Sequence, residues 1–214
     1  LPLLGVECKK GGSTCANPMP EAFEQLQRYM NRRKATHQQG LKEGEPRLFH
    51  TSMMLIRSCG LQADYGTITS GIEHFFPWKT QWPQDDAVAQ GMNQQQQLIS
   101  GMLTKTNLLN MLRTSTVFMN ADAGARVKVV CRYQQFRAAN KIIERLRNGH
   151  TVADRSGVVW HTQGSGKSLT MVFVARMLRA SKDLNDYKIL LINDRVDLED
   201  QLAATATLIG GRVH

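Results

Sequence analysis

The apolar and polar positions of the first third of the chain predict a small mixed sheet with one helix. Leu1 to Val6 are apolar and lead into the polar run Glu7 to Lys10, a pattern typical of a buried strand that emerges at a polar edge. Apolar residues at helical spacing, with prolines where a helix would start, predict a helix over 21–33. Further strands are predicted over 47–56 and 65–69.

The pattern then changes twice and divides the chain into three regions. A mixed α/β unit is predicted over 1–84, a helical connector over 85–126 and a second α/β unit over 127–214. The connector carries the glutamine run Gln94 to Gln97 and leucines at helical spacing. The second unit begins with a predicted helix from Tyr133 to Arg147, which the following Asn-Gly ends.

Composition narrows the class of protein. Of 214 residues, 42% are hydrophobic, which is enough for one or two buried cores. The 27 basic and 18 acidic residues give a net charge of +9, which favours a polyanionic partner such as nucleic acid. The four cysteines form no C-x-x-C pair, which argues against a zinc site or a disulfide framework and favours a reducing cytoplasm. No apolar run approaches the ~20 residues of a membrane span.

The strongest chemical signal is a glycine-rich loop in the second unit. An apolar strand is predicted over 157–160, and the loop after it ends in Gly164-Ser165-Gly166-Lys167-Ser168 before a long apolar helix. Glycines let backbone N–H groups approach phosphate oxygens, the lysine reaches the terminal phosphates and the serine can ligate Mg²⁺. The full pattern would have glycine at position 161, where this chain has His161.

The next apolar run, Ile189 to Ile192, begins about thirty residues after this strand, the length of a β-α-β unit. Its unbroken apolarity is typical of a parallel strand covered on both faces, so the sequence predicts a P-loop α/β core. Asp194 follows this run. It is either an acid that organises Mg²⁺ or part of a helix start at Asp197, where acids cap the first turn.

A weaker signal lies at the amino end. Glu7 and Lys9 are two residues apart and therefore on one face of the predicted strand. A carboxylate that holds Mg²⁺ and a lysine that orients water suit metal-dependent phosphodiester cleavage. The same pair is also common on plain solvated strand edges, and both interpretations stay open at this point.

Five motifs, taken in order, resemble the restriction subunit, the motor and nuclease subunit, of type I restriction-modification enzymes. They span essentially the whole chain and are Val6-Glu7-Cys8-Lys9, Gln25-Leu26-Gln27-Arg28-Tyr29, Arg132-Tyr133-Gln134, the run from Trp160 to Ser168, and Asn193-Asp194-Arg195-Val196-Asp197-Leu198. The resemblance implies a partial nuclease of the Asp…Glu-x-Lys type with a mixed sheet, a helical connector, and part of the first RecA-like, parallel-sheet domain of a superfamily 2 DNA translocase.

The resemblance also implies roles in the nuclease half. Glu7 is similar to the family's metal-binding carboxylate and Lys9 to its catalytic lysine. Gln25 and Tyr29, one helical turn apart, resemble the Gln-x-x-x-Tyr motif that supports nuclease activity. Without the resemblance, these two residues read as a plain amphipathic helix surface.

In the motor half, the resemblance implies ATP and Mg²⁺ as cofactors. Gln134 is similar to an adenine-reading glutamine, although by itself it is a polar residue at a helix start. Lys167 and Ser168 resemble the triphosphate lysine and the Mg²⁺ ligand, with Gly164, Ser165 and Gly166 around the phosphates. Arg195 and Asp197 resemble a motif that faces the DNA backbone. The implied partners are double-stranded DNA and the specificity and methylation subunits.

The sequence also departs from the family pattern. It holds no acid upstream of Glu7, no Asp-Glu box and no second RecA-like domain. Phosphoryl transfer needs such groups to position water and stabilise charge, so we expect this chain alone neither to turn over ATP nor to cut DNA. Two other functions remain open: a P-loop nucleotide-binding module of another class, such as a small-molecule kinase, and a non-catalytic truncated remnant.

Overall fold

The fold was obtained as a computed structural model, which describes residues 2–11, 15–33, 40, 42–120, 124–184, 186–192, 203 and 205–209. The chain divides into two compact units. Unit 1 comprises Leu1–Leu108 with Asn120–Val130, and unit 2 comprises Leu109–Met119 with Cys131–His214. Each unit carries one of the two predicted sites.

The four strands of the main sheet lie in sequence order. They are β1 (Leu4–Cys8), β2 (Met54–Ser58), β3 (Ala63–Gly66) and β4 (Phe76–Pro77). β1 pairs parallel with β2, and β2–β3 and β3–β4 are antiparallel. The predicted α/β class with a mixed sheet is therefore confirmed. In the parallel register Glu7 lies beside Arg57, so the candidate carboxylate sits at the edge of the sheet next to a buried cation.

Helix α1 (Pro18–Tyr29) covers this sheet. Its prolines occupy the first turn, where their missing N–H groups cost no helical hydrogen bond. Leu26 and Met30 pack with Leu55 and Phe75 in the core of unit 1. The helix ends before the predicted residue 33 because Asn31 adopts the left-handed conformation, with φ of 56°.

Two predicted strands have different bounds in the structure. The stretch predicted over 47–56 starts as a 3₁₀ turn, Pro46–Phe49, because proline fixes the first φ and lacks an N–H for a sheet. The strand begins only at Met54. The strand predicted over 65–69 lies two residues earlier and ends at Gly66, as β3 (Ala63–Gly66). It ends there because the hydroxyls from Thr67 onward bond to one another and to the Lys128 carbonyl.

The region predicted as a helical connector also contains strand structure. Its helices are α2 (Gln94–Gln97), a π turn (Leu98–Met102) and α3 (Lys105–Thr114), and a short 3₁₀ turn (Asp86–Ala89) precedes them. Two further strands follow, β5 (Thr116–Asn120) and β6 (Arg126–Val130). The β-branched and aromatic residues of Thr116 to Phe118 and the valines of β6 explain why helical periodicity gives way here.

Unit 2 is built on two long helices that pack against each other, α4 (Tyr133–Asn148) and α6 (Lys167–Ala180). The short helix α5 (Val152–Arg155) lies between them in sequence. Phe136, Ala139 and Ile143 of α4 are buried, as are Val172 and Phe173 of α6. Helix–helix burial therefore forms the core of this unit in the described part of the chain.

The two strands predicted for the P-loop core do not form a sheet among the residues that the structure describes. The segments 157–160 and 189–192 have no regular strand structure and no pairing there, and Val158, Trp160 and Leu190 are 95%, 82% and 81% exposed. A parallel strand needs neighbouring strands to satisfy its backbone groups and helices to cover its faces. Neither segment has such neighbours in the described chain, so its apolar pattern alone does not make it a strand.

Gly101 of the π turn packs closely against the backbone of Thr80 and the ring of Trp78 in unit 1, and a substitution there tests this packing. A Cβ at this position would lie 2.2 Å from the Thr80 carbonyl oxygen and 2.7 Å from Trp78 Nε1, and the buried indole already donates to the Thr80 oxygen at 2.6 Å. We expect Gly101→Ala to lower the free energy of unfolding by ~1–3 kcal/mol, measured by denaturant titration. Truncation of the exposed neighbour, Ile99→Ala, is the matched control and should change it by less than ~0.5 kcal/mol. Equal stability of Gly101→Ala and the wild type would contradict this packing.

Candidate active site and nucleotide loop

Strand β1 places the candidate nuclease pair on one face of the sheet. Lys9 Nζ lies 3.1 Å from Glu7 Oε1, and both side chains are mostly buried. The hydrogen bond to the Glu7 carboxylate raises the pKa of the Lys9 ammonium above its ordinary value of 10.5, and burial only partly opposes this shift. The two predicted residues are thus in direct contact, with the lysine held in its charged form.

Helix α1 brings a second row of polar side chains to the same place. Glu21, Gln25 and Tyr29 follow one another at four-residue intervals and so share a helix face. Glu21 and Tyr29 lie close enough to Lys9 to contribute to its raised pKa. Gln25 lies between them on that face. Tyr29 is thereby brought to the Glu7–Lys9 pair, and Glu21 joins it as a carboxylate that the sequence did not single out.

Glu21 could have been recognised by its spacing, because it stands one turn before Gln25. The Cys15 thiol donates a hydrogen bond to the Glu21 carboxylate, which raises the pKa of that thiol. Asp64 of β3 lies in line with Arg57 and Glu7 across the sheet, and Arg57 binds its carboxylate at 2.8 Å. Lys9 therefore has Glu7 in direct contact and Glu21 close by.

The carboxylates present fit Mg²⁺ only in part. Mg²⁺ takes oxygen ligands, commonly one or two carboxylates with several waters. Glu7 can supply one such ligand. No group of three or more His, Cys, Asp or Glu residues arranged to hold a metal ion occurs in the portion of the chain that is described. This half of the protein thus has the lysine and one firmly placed acid.

The glycine-rich loop of unit 2 has the backbone that its sequence predicts. Gly164 and Gly166 have φ of 74° and 79°, which a residue with a Cβ adopts only with strain. The loop turns back on Thr162, whose carbonyl accepts hydrogen bonds from Ser165 Oγ at 2.6 Å and from Lys167 Nζ at 3.2 Å. Helix α6 begins at Lys167, so Ser168 lies in its first turn with the positive end of the helix at the loop.

A glutamine that the sequence argument missed holds this loop. Gln135 is only 2% exposed, and its Nε2 donates to the carbonyls of Ser165 at 3.1 Å and Gly166 at 3.0 Å. Its Oε1 accepts from the Arg132 backbone N–H at 2.8 Å. A Cβ on Gly166 would lie 2.4 Å from that Nε2, so the loop glycine is also needed for the approach of this side chain. The available signal was its place three residues after Arg132, where a glutamine closes a capping box.

Gln134, the residue predicted from the sequence, points elsewhere. Its Oε1 is buried and has no hydrogen-bond partner among the described residues. It lines a cavity of about 370 Å³ together with Tyr133, His161 and Ser165. An unsatisfied buried acceptor beside the loop is suited to a ligand that brings a donor, such as the amino group of a base. The predicted DNA-contacting residues Arg195 and Asp197, and Asp194 with them, lie outside the described residues.

Similarity to known proteins covers both halves of the chain. Residues 134–214 match the SWI2/SNF2 ATPase family. The chain is 30% identical over 208 residues to the type I restriction enzyme HindI endonuclease subunit of Haemophilus influenzae, which covers 96% of this chain and 18% of that protein. Such subunits of Staphylococcus aureus and Staphylococcus saprophyticus are 27% and 25% identical over 204 residues, 94% of this chain and 19% of theirs. The chain thus spans about a fifth of the length of these relatives.

The described helices include none with the length and apolarity that a bilayer crossing requires.

Loss of the Glu7 carboxylate should lower the pKa of Lys9, because the hydrogen bond to Glu7 is the largest cause of its elevation. Since the folded-state pKa is raised, the pair stabilises the fold fully below pH 10.5 and loses this effect as pH rises through the raised value. Reductive ¹³C-methylation of lysines and NMR titration of Glu7→Gln measure this. Glu24→Gln, an exposed acid of α1, is the control. An unchanged Lys9 titration in Glu7→Gln would contradict the contact.

Gln135→Ala should loosen the loop, because the Ser165 and Gly166 carbonyls and the Arg132 N–H lose their buried partner. We expect a loss of ~1–3 kcal/mol in the stability of unit 2, measured by hydrogen exchange of α4 and α6. Gln134→Ala should leave this exchange unchanged, since its Oε1 bonds to no described residue. The reverse order of effects would show that Gln134, not Gln135, supports the loop.

Proposed function

Because this chain is homologous to type I restriction enzyme endonuclease subunits along nearly its whole length, we propose that it is the region of such a subunit that joins the nuclease to the motor. In the complete enzyme, ATP hydrolysis drives translocation of double-stranded DNA, and the nuclease cuts with Mg²⁺. One observation supports the proposal: a Glu-x-Lys pair in contact at a sheet edge and a glycine-rich loop at the start of a helix occur in one chain.

In the nuclease half, Glu7 would hold Mg²⁺, which supplies Lewis-acid polarisation of the phosphate and of a water. The charged Lys9 lies beside that carboxylate, where its ammonium can orient the attacking water and balance negative charge that develops on the phosphate. Tyr29 and Gln25, on the helix face beside Lys9, would approach the DNA strand.

In the motor half, Lys167 would exchange the Thr162 carbonyl for the terminal phosphates of ATP. Ser168, in the first turn of α6, would hold the accompanying Mg²⁺ through its hydroxyl. The glycine backbone would receive the phosphates, because Gly164 and Gly166 carry no side chain of their own beside their N–H groups. The cavity beside Gln134 is suited to the base.

The match to SWI2/SNF2 ATPases supports a RecA-like domain around this loop. In such a domain the segments 157–160 and 189–192 are parallel strands of one sheet, and their exposed apolar side chains would face covering helices. The partners of the complete subunit would be double-stranded DNA and the specificity and methylation subunits, which supply the choice of sequence.

Nucleotide binding tests this function directly. The purified chain should bind a fluorescent ATP analogue in the presence of Mg²⁺, and Lys167→Ala should weaken binding by about tenfold or more, since a charge-assisted phosphate contact is lost. Lys182→Ala, an exposed lysine just beyond α6, is the matched control and should bind normally. Binding that Lys167→Ala leaves unchanged would contradict the proposal.

The chain alone should show neither ATP turnover nor DNA cleavage. Water and developing charge must be positioned by groups that this sequence does not contain, including a second nuclease acid upstream of Glu7. The measurement is phosphate release and plasmid nicking by the purified chain with Mg²⁺ and DNA. ATP hydrolysis that Lys167→Ala abolishes would show that the chain is already a complete ATPase.

A further inference from the structure

A cleft of about 730 Å³ opens where the parallel strands β1 and β2 end, on unit 1. Two lysines, Lys9 and Lys10, line it from the end of β1, and the turn from Cys59 to Gln62 lines it from the end of β2. Gln95 of α2 closes one side. Because Lys9 also contacts Glu7, the cleft adjoins the candidate nuclease pair.

The charged residues among those described in the lining, Lys9 and Lys10, are both basic. None of the described residues that line it is acidic, and none is aromatic. Lys10 is exposed, and no salt bridge of the described residues includes it. Because Lys9 is paired with Glu7, Lys10 supplies the positive charge of the described lining. A positive charge without aromatic rings is suited to a phosphodiester backbone, whereas a site for unstacked bases would present rings for stacking.

The turn that forms one wall is held rigidly. The Gln62 carbonyl accepts hydrogen bonds from the Cys59 N–H at 3.0 Å and from Ser58 Oγ at 2.9 Å. Gln95 Nε2 donates to that Ser58 oxygen at 2.9 Å, and the Gln94 N–H donates to the Leu61 carbonyl at 3.0 Å. The glutamine run of the sequence thus braces the turn. A braced turn loses little conformational entropy when a ligand binds.

We propose that this cleft binds the DNA backbone at a phosphate that flanks the one on which Glu7 and Lys9 act. Lys10 supplies the charge, and the side-chain amides of Gln62 and Gln95 supply hydrogen bonds. The inference rests on the proposed nuclease function, since it assigns the contacts that hold the substrate beside that site. The expected partner is duplex DNA, bound through its backbone and without choice of sequence.

Two cysteines give a direct readout, because Cys8 and Cys59 both line the cleft. The wild-type chain is treated with N-ethylmaleimide in metal-free buffer without ATP, with and without a short duplex, and alkylation of each cysteine is followed by peptide mass spectrometry. We expect DNA to slow alkylation of both residues severalfold. The buried Cys131, whose pKa is raised by burial, should stay unmodified throughout and report that the chain is folded. Unchanged rates at Cys8 and Cys59 under conditions where the duplex is bound would overturn the proposal.

Charge variants test the same cleft by fluorescence anisotropy of a labelled duplex. Lys10→Ala should reduce the slope of log K against log salt by about 0.9, the value for one phosphate contact. Gln95→Glu, which places a carboxylate in the cleft, should weaken binding. Lys79→Ala and Gln90→Glu make the same changes of charge at exposed positions of unit 1 outside the cleft and should leave the slope and affinity unchanged. Equal effects of the cleft and control variants would overturn the proposal.

The outcomes distinguish DNA binding in the cleft from the proposed function of the chain as part of a restriction subunit. Binding of the duplex with no protection of Cys8 and Cys59 would exclude the cleft and leave the restriction-subunit function standing. Protection by single-stranded DNA but not by duplex would exclude the duplex as the occupant. Failure to bind any DNA, with native circular dichroism and ATP binding retained, would overturn both the cleft and the nuclease half of the proposed function.

Discussion

The buried ion pair between Arg57 and Asp64 is the interaction on which unit 1 depends. Arg57 donates to Asp64 across β2 and β3, and its guanidinium also lies 5.1 Å from the centre of the Phe75 ring and within 3.4 Å of the Met19 carbonyl oxygen on α1. One side chain therefore ties two strands, the covering helix and the apolar core. Removal of one partner from such a pair leaves an uncompensated buried charge, a cost of ~3–5 kcal/mol.

This pair also determines which acids remain for chemistry. Arg57 stands beside Glu7 in the parallel register, yet its hydrogen bonds go to Asp64 on the opposite neighbour. The negative charge of Asp64 is thereby compensated by Arg57, and Glu7 pairs with Lys9 instead. Unit 2 follows a related principle, because buried Gln135 binds the Ser165 and Gly166 carbonyls and so holds the glycine loop. In both units a buried polar side chain fixes the position of residues that the proposed function uses.

The sequence predicted those features of the sites that depend on local geometry. The contact of Glu7 with Lys9 follows from strand alternation, and the conformations of Gly164 and Gly166 follow from the spacing of the loop. Gln135 was missed because its role requires a contact across thirty residues, which spacing does not reveal. The cleft beside Lys10 was missed for the same reason, since the end of β1, the turn after β2 and α2 come together only through sheet pairing.

The two units differ in how much of the apolar surface of their predicted strands is buried. In unit 1 every residue of β2 is buried, because β1 and β3 flank it and α1 covers it. In unit 2 the apolar segments that contain Val158 and Leu190 remain exposed, although their composition is that of buried strands. Apolar patterning reports which residues gain from burial, whereas strand formation requires partners for every backbone N–H and carbonyl. Those segments therefore have the side chains of a parallel sheet without its hydrogen bonds in the described chain, and pairing with further strands would satisfy both requirements at once.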